Sequence, residues 1–366
     1  MTTESIAGGS GAGCAPTRTK GEHVDQRGRA ELEFVRTITT ASSGLRTKLR
    51  QDIEGAGVLP AVVTDIAATR AVVDPVAEAS AHYRFSAAAR RWTRTVTTPR
   101  AMDAFERRRN VLEPLAVPSS TAVAEAPGKS APRYWDYEFH GTTGGWDGHE
   151  HMGFIHHELV YHFLLTKVYG GNGDIFAQRA TFARSAPGEN YTDIVDLGCG
   201  TGQYTLKLAE AYPQASITGV DLSRAELVYA ARRAEEAGTT VAFRRAPAED
   251  TGLPDASADL VTSFILLHEI PPHAVKAVFA EAFRLLRPGG HVHFADVGRY
   301  DRRPPYQAWN DDWDAEHGNE PWWRTSATLD LVEVARQAGF VDVEQFELAP
   351  GFHPMGTTAR KPLIQE

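Results

Sequence analysis

The stretch that decides the fold is Asp193–Gly202, which reads D-I-V-D-L-G-C-G-T-G. Its first half is the short apolar run of a buried strand. Gly198, Gly200 and Gly202 follow, and they let the backbone turn tightly with no Cβ between it and a ligand. Residues 204–210 then have a helical pattern. This strand, glycine turn and helix start together predict a cradle of the size of a nucleotide.

The next strand supports the same interpretation. Residues 216–221 are largely apolar and end in Asp221, about 20 residues after the glycines, where an acid can hold both ribose hydroxyls. The glycines are spaced G-x-G-x-G, whereas a dinucleotide fingerprint requires G-x-G-x-x-G, whose third glycine packs helix on strand. The pattern therefore favours a ligand without phosphates, such as an adenosine sulfonium.

Three motifs carry a family resemblance. D-L-G-C-G-T-G, G-V-D-L-S and L-L-R-P-G-G-H-V-H-F occur in the order and at the spacing of class I S-adenosylmethionine-dependent methyltransferases, which this chain resembles. The resemblance is specific over residues 193–297 and looser from there to residue 362. It implies an α/β fold: a Rossmann-like, seven-stranded, mostly parallel sheet with helices on both faces. It also implies S-adenosylmethionine as the cofactor.

The resemblance also assigns the cofactor-binding residues. Backbone groups of the glycine loop would face the amino-acid end of the cofactor, Asp221 would bind the ribose hydroxyls and Leu222 would pack on the adenine. Pro247 stands where the family usually has an aspartate that meets the adenine amine, so this contact passes to the Ala248 backbone and to Glu249 or Asp250. The predicted cofactor-binding residues are Asp196, Gly198, Cys199, Gly200, Thr201, Gly202, Asp221, Leu222, Ala248, Glu249 and Phe264.

The floor of the predicted active site is the run after the fourth strand, residues 263–269. Nucleic-acid and protein-glutamine methylases of this fold often have Asn/Asp-Pro-Pro-Tyr here, and its absence favours a small-molecule acceptor. His268 is the predicted general base, because imidazole titrates near neutrality; a histidine that only packs beneath a lid is the alternative. The predicted catalytic residues are His268, its neighbour Glu269 and, from a histidine-rich run, His151 and His156.

The chain of 366 residues divides into five predicted segments. In order they are a disordered tail (1–29), an N-terminal mainly helical domain (30–115), a linker (116–133), an aromatic and histidine-rich cover segment (134–190) and the methyltransferase domain (191–366) with an irregular aromatic insert (300–324). The helical domain would form either a dimer interface or a wall of the substrate pocket. No metal is assigned to the histidines, because no cysteine or obvious carboxylate cage accompanies them.

Composition restricts the partners. A net charge of −9 argues against a mainly electrostatic nucleic-acid binder, and the many arginines of the N-terminal helices are interpreted as a solvated face. No apolar run is long enough to span a bilayer, and the two cysteines, Cys14 and Cys199, suit a reducing cytoplasm. The predicted partner is a small molecule, with no nucleic acid and no membrane, and a homodimer is left open.

These observations predict an S-adenosylmethionine-dependent methyltransferase that acts on a small molecule by O-, N- or C-methylation, in specialised metabolism. One alternative is a fold member that uses the sulfonium for another reaction or only binds it. The other is a nicotinamide-dependent oxidoreductase, which the glycine spacing and the Pro-Gly-Gly turn before the fifth strand disfavour.

Overall fold

The computed structural model describes residues 20–165, 175–348, 351 and 353–363. Within them, the central sheet has eight strands in the order β1-β4-β3-β2-β5-β6-β8-β7. Neighbours pair in parallel, except that β8 is antiparallel to both β6 and β7. The strands are β1 (Val123–Glu125), β2 (Asp193–Leu197), β3 (Ser216–Asp221), β4 (Ala242–Arg245), β5 (Ala258–Phe264), β6 (Leu286–Asp296), β7 (Val341–Glu347) and β8 (Met355–Arg360).

The helices cover both faces of this sheet and extend beyond it. They are α1 (Gln26–Gly55), α2 (Ile66–Ala79), α3 (Ala81–Glu106), α4 (Arg109–Ala116), α5 (Met152–Phe154), α6 (Ile175–Arg184), α7 (Thr205–Ala211), α8 (Arg224–Glu236), α9 (Pro272–Leu285), α10 (Pro305–His317), α11 (Trp323–Ser326) and α12 (Leu331–Gln337). Successive residues of a strand point to opposite faces, so Ile194 joins a core with α6, α7 and α8, while Val195 joins one with α9 and α12. The predicted Rossmann-like α/β fold is confirmed.

Three predicted details of this fold were wrong. The sheet has eight strands rather than seven, because β1 forms within the predicted linker and pairs with β4 through Val123 and Phe243. Helix α1 begins at Gln26, inside the predicted tail, because the Asp25 side chain caps it by accepting from the Gly28 N–H; residues 1–19 lie outside the described part. The aromatic insert, expected to be irregular, contains α10 and the start of α11.

The N-terminal helices are tied to the aromatic insert by an ion-pair seam. Arg70 Nη1 lies 2.8 Å from Asp312 Oδ2, and Asp312 is also paired with Arg324 at 2.7 Å. Arg94 Nη1 donates to the Asp314 carbonyl at 2.7 Å. Asp312 is only 1% exposed, so the pairs compensate a carboxylate that burial would otherwise penalise. Arg94 therefore binds the insert instead of lying on the solvated face that the sequence predicted, whereas Arg84 and Arg91 of the same helix are exposed as predicted.

The cover segment lies between the N-terminal helices and the sheet. Its first part is a series of 3₁₀ turns, and its centre is a π-helix, Ile155–Leu165. Helices α1 and α3 pack on the π-helix, and α5 packs on α8. π-Turns are rare in proteins and are frequently found at functional sites. A π-helix of this length therefore favours a functional role for the adjoining cavity.

Candidate active site

A cavity of about 220 Å³ opens at the carboxyl ends of β2, β3, β4 and β5. Parallel α/β sheets bind ligands at the point where the strand order reverses, which here lies between β2 and β5. Eleven predicted site residues line it, namely Asp196, Gly198, Cys199, Gly200, Thr201, Asp221, Leu222, Ala248, Phe264, His268 and Glu269. The glycine motif, the acid of the second strand and the floor run therefore meet in one place.

The glycine loop makes one wall of the cavity. Gly198 has φ +69°, and a Cβ there would lie 2.8 Å from Leu266 Cδ1, so a side chain at this position would be both strained and obstructed. Leu266 is turned towards the loop by Ile265, which has φ +64°. A β-branched residue with positive φ costs about 1–3 kcal/mol, and such strain is often found at functional sites. The end of β5 is thus a strained turn packed against the glycine loop.

Two buried carboxylates belong to this wall. Asp221 accepts hydrogen bonds from Gly200 N and Ser223 N, both at 2.8 Å. Asp196 Oδ2 accepts from Thr205 Oγ1, whereas Asp196 Oδ1 is buried without a hydrogen-bond partner among the described residues. Burial raises the pKa of both carboxyl groups to about 7. Donors supplied by a ligand would stabilise the ionised forms.

This arrangement fits S-adenosylmethionine. The positive φ angles of the glycine loop leave a surface free of side chains, and Asp221 stands beside it with its carboxylate ordered by two backbone N–H groups. The unpaired Oδ1 of Asp196 needs a donor. The cofactor's ribose hydroxyls and ammonium group are donors of the required kind.

Two of the predicted cofactor residues lie elsewhere. Gly202 is not among the described lining residues; a Cβ there would contact Ala230 at 3.3 Å, so this glycine permits close packing of the loop on α8. Glu249 is turned to Tyr134, whose hydroxyl donates to its carboxylate at 2.7 Å. Tyr134 lines the cavity instead, and Glu249 holds it in position.

At the other end of the cavity His268 pairs with a buried acid. Its Nδ1 is 2.9 Å from Asp296 Oδ1, and both side chains are 2% exposed. Burial alone would lower the pKa of His268, but the charge of Asp296 and its hydrogen bond raise the pKa to about 9. His268 is therefore an imidazolium at neutral pH, and its Nδ1 donates a hydrogen bond to Asp296. The remaining nitrogen, Nε2, is 4.0 Å from Glu269 Oε1.

Glu269 is held by a second histidine, from the cover segment. His140 Nε2 is 3.1 Å from Glu269 Oε1, and His140 Nδ1 pairs with Glu320 of the insert. Burial would lower the pKa of His140, but Glu320 and Glu269 raise it well above its usual range. The ring is 38% exposed, so solvent screens these charges. Three distant segments thus meet at this end of the cavity.

The other two predicted catalytic histidines do not line the cavity in the described structure. His151 is buried against Phe105, with ring centroids 5.1 Å apart, and burial lowers its pKa. His156 Nδ1 is 2.8 Å from Glu226 Oε1, so it acts behind a cavity residue rather than in the cavity. A direct catalytic contact is therefore not supported for either residue by this geometry.

Several lining residues were missed by sequence reasoning, and half of them come from the cover segment. They include Tyr134, Trp135, Phe139, His140, Trp146 and Glu226. The aromatic run 134–146 was a usable signal, since it was already expected to cover a ligand. Glu226 had no such signal, because the first turn of a helix is an ordinary place for an acid.

Comparisons with known proteins agree with this geometry. Residues 194–290 match the family described as "Methyltransferase domain". The chain is 30% identical over 194 residues to the tRNA N(3)-methylcytidine methyltransferase Mettl2 of Drosophila melanogaster, covering 50% of this chain and 54% of that protein. It is 33% identical over 108 residues to a ubiquinone biosynthesis O-methyltransferase of Pseudomonas savastanoi pv. phaseolicola, covering 29% and 44%. The chain thus spans about half the length of these relatives.

A solved structure with a similar fold is phosphoethanolamine N-methyltransferase 2 of Haemonchus contortus in complex with S-adenosyl-L-methionine. It has a TM-score of 0.46 and 17% identity and covers 59% of this chain and 58% of that chain.

The fold, the glycine-loop cavity and the family match define a class of protein that binds a nucleoside cofactor at the reversal point of its sheet. This chain carries a class I S-adenosylmethionine-dependent methyltransferase domain, and S-adenosylmethionine is its cofactor. The family and the cofactor predicted from the sequence are confirmed. No helix among the described residues is long and apolar enough to cross a membrane.

Proposed function

We propose that the protein transfers a methyl group from S-adenosylmethionine to an oxygen, nitrogen or carbon atom of a small molecule. The observation that carries the proposal is the buried His268–Asp296 pair at the end of the cofactor cavity. Bound S-adenosylmethionine supplies an electrophilic methyl group. The residues of the chain must hold the acceptor, exclude water and take a proton from the acceptor where it carries one.

His268 is suited to take that proton. Asp296 occupies Nδ1, so Nε2 is the nitrogen available to the acceptor, and the neutral form must be present first. With a pKa of about 9, roughly one His268 in a hundred is neutral at pH 7. Phenols and alkylammonium groups titrate near pH 10, and proton transfer is easier when the pKa values of base and acceptor are close. His268 therefore matches such acceptors better than an ordinary imidazole would. Glu269, ordered by His140, lies beside it to position the acceptor.

The charge distribution supports a small-molecule acceptor rather than a nucleic acid, although one relative is a tRNA methyltransferase. The chain carries a net charge of −9. Asp196, Asp221, Glu226 and Glu269 line the cavity beside Arg179, His140 and His268, so no excess of positive charge faces a ligand there. The ion-pair seam pairs Arg70 and Arg94 of the N-terminal helices with carboxylates of the insert. A phosphate backbone is normally bound by uncommitted lysines and arginines.

In this proposal the N-terminal helices support the pocket from behind. All described lining residues come from position 134 onward, so the helices do not touch the cavity themselves. They pack on the π-helix and hold the insert, which supplies Glu320 and places Trp323 against His268, with ring centroids 5.1 Å apart. Their alternative role, a homodimer interface, stays a prediction. A cytoplasmic location stays part of the proposal, because the free, buried thiol of Cys199 suits a reducing compartment.

The test uses S-adenosylmethionine with a deuterated methyl group. The protein is incubated with a set of phenols, amines and carboxylic acids or with bulk tRNA, and products are analysed by mass spectrometry. We expect label in a small molecule, a strong loss with His268→Asn and no loss with His273→Asn, an exposed histidine on α9. Label in tRNA would overturn the small-molecule assignment. Cofactor binding with no labelled product in any sample would favour the fold member that does not methylate.

A further inference from the structure

Glu226 is a buried carboxylate in the cofactor wall that the glycine motif does not explain. It lies in the first turn of α8, it is 5% exposed and it lines the cavity. One oxygen, Oε1, is 2.8 Å from His156 Nδ1. The other, Oε2, would be 4.0 Å from a Cβ on Gly200, so it lies beside the glycine loop. Among the described residues no hydrogen bond to Oε2 is found.

Glu226 stands next to the carboxylate that is assigned to the ribose. Asp221 Oδ2 accepts from Gly200 N, the same residue that Glu226 Oε2 approaches. Besides burial, the negative charge of Glu226 raises the pKa of Asp221. Two neighbouring carboxylates in a buried wall are unfavourable unless donors reach them. The two ribose hydroxyls of the cofactor provide two donors.

The cover segment fixes the position of Glu226. Asp147 Oδ1 accepts from Ser223 Oγ at 2.7 Å and from Ala225 N at 3.1 Å, so this acid holds the start of α8. Gly153 is packed so closely that a Cβ there would lie 2.5 Å from the Ala225 carbonyl oxygen. His156 then orients the Glu226 carboxylate itself. The cofactor wall is therefore built jointly by α8 and the cover segment.

We propose that Glu226 is a second cofactor-binding carboxylate, which accepts a hydrogen bond from one ribose hydroxyl of S-adenosylmethionine while Asp221 accepts from the other, with His156 as its positioning residue. The inference rests on the cofactor part of the proposed function and is independent of the methyl acceptor. A purely structural alternative is that the Glu226–His156 pair only attaches the cover segment to α8.

Binding of S-adenosylhomocysteine and of its 2′-deoxy and 3′-deoxy analogues separates these alternatives. Calorimetry is carried out on the wild type, on Glu226→Gln and on Glu236→Gln, a control on the same helix whose carboxylate pairs with Lys20 instead. We expect Glu226→Gln to bind S-adenosylhomocysteine about tenfold more weakly, as loss of a charged hydrogen bond requires. The analogue that lacks the hydroxyl bound by Glu226 should bind equally to wild type and variant, and the control should match the wild type.

An equal loss for all three ligands would show that Glu226 acts only through the structure and would overturn the inference. If Glu226→Gln does not fold, His156→Asn is used; it should show a smaller loss with the same dependence on one hydroxyl. Binding is measured without an acceptor, so an inactive protein that keeps this pattern would refute methyl transfer but retain the inference. A wild type that does not bind S-adenosylhomocysteine would overturn both.

Discussion

Replacing Asp296 by asparagine should change how stability depends on pH, because Asp296 raises the pKa of His268. In the folded protein this pKa is about 9, against an ordinary value of 6.5. A raised pKa means that the pair stabilises the folded state fully below pH 6.5, and that this stabilisation is lost as the pH rises through 9. The pKa difference corresponds to ~3 kcal/mol of unfolding free energy, at about 1.4 kcal/mol for each pH unit.

Asparagine keeps the size of Asp296 and can still accept from Leu267 N, which now donates to Asp296 Oδ2 at 2.6 Å. It removes the charge that raises the pKa most, and burial, the largest influence, opposes the remaining charges of Glu269 and Glu320, so the pKa of His268 should fall to about 6.5 or below. Urea denaturation at intervals between pH 6 and pH 10 measures the effect. The free energy of unfolding of the wild type, minus that of Asp296→Asn, should be ~3 kcal/mol larger at pH 6 than at pH 10.

The control is Asp301→Asn, because Asp301 pairs with Arg299 at 2.8 Å and its pKa is lowered, so it stays ionised throughout this range. Its difference from the wild type should not vary between pH 6 and pH 10. The reasoning would be refuted if the difference between wild type and Asp296→Asn were equally constant. Titration of the His268 ring by NMR gives the same answer directly: a midpoint above pH 8 in Asp296→Asn would contradict the assignment.

Three further outcomes are expected. Gly198→Ala should lower the affinity for S-adenosylhomocysteine, measured by calorimetry, at least about tenfold. The positive φ strains an alanine at this position, and its methyl group would clash with Leu266. Gly238→Ala, also at positive φ but in open space, should leave affinity unchanged, and equal losses would contradict this. Binding of the same ligand should release protons and tighten at least about tenfold from pH 6 to pH 8, because it favours the ionised forms of Asp221 and Asp196, whose pKa values are both raised to about 7. Binding heats that do not vary with the buffer type would argue against this. Arg70→Ala should cost about 2 kcal/mol in urea denaturation through its lost bond to buried Asp312. The control, Arg27→Ala on an exposed pair, should cost under about 1 kcal/mol, and an equal cost would contradict the role of the seam.

The parts of the fold that the sequence predicted well are encoded locally. The glycine loop and β2 are adjacent in the chain, and Asp221 ends the next strand, so pattern and spacing were sufficient. Strand β1 has only three residues at a sheet edge within a proline-rich stretch, too short to produce a periodic signal. Helix α10 did have one: Tyr306, Trp309 and Trp313 are spaced i, i+3, i+7 on its buried face, and the aromatic composition obscured it.

The substrate end of the site depends on contacts between distant segments. His140 meets a carboxylate 129 positions away, and His268 meets Asp296 across two strand ends. Nothing in a histidine-rich run shows which rings face inward, and a π-helix changes the side-chain spacing from that of an α-helix. His151 and His156 therefore looked equivalent in the sequence, although one packs on Phe105 and the other supports Glu226.

The ion-pair seam restricts how this protein could be recombined with its relatives. Asp312 is buried in the insert, but one of its partners, Arg70, comes from α2 at the other end of the chain. A chimaera that received the insert alone would carry a buried carboxylate lacking one of its two arginines, with a cost in stability before any gain in specificity. Residues 66–106 and 300–327 should therefore be exchanged as one module when acceptor preference is to be transferred.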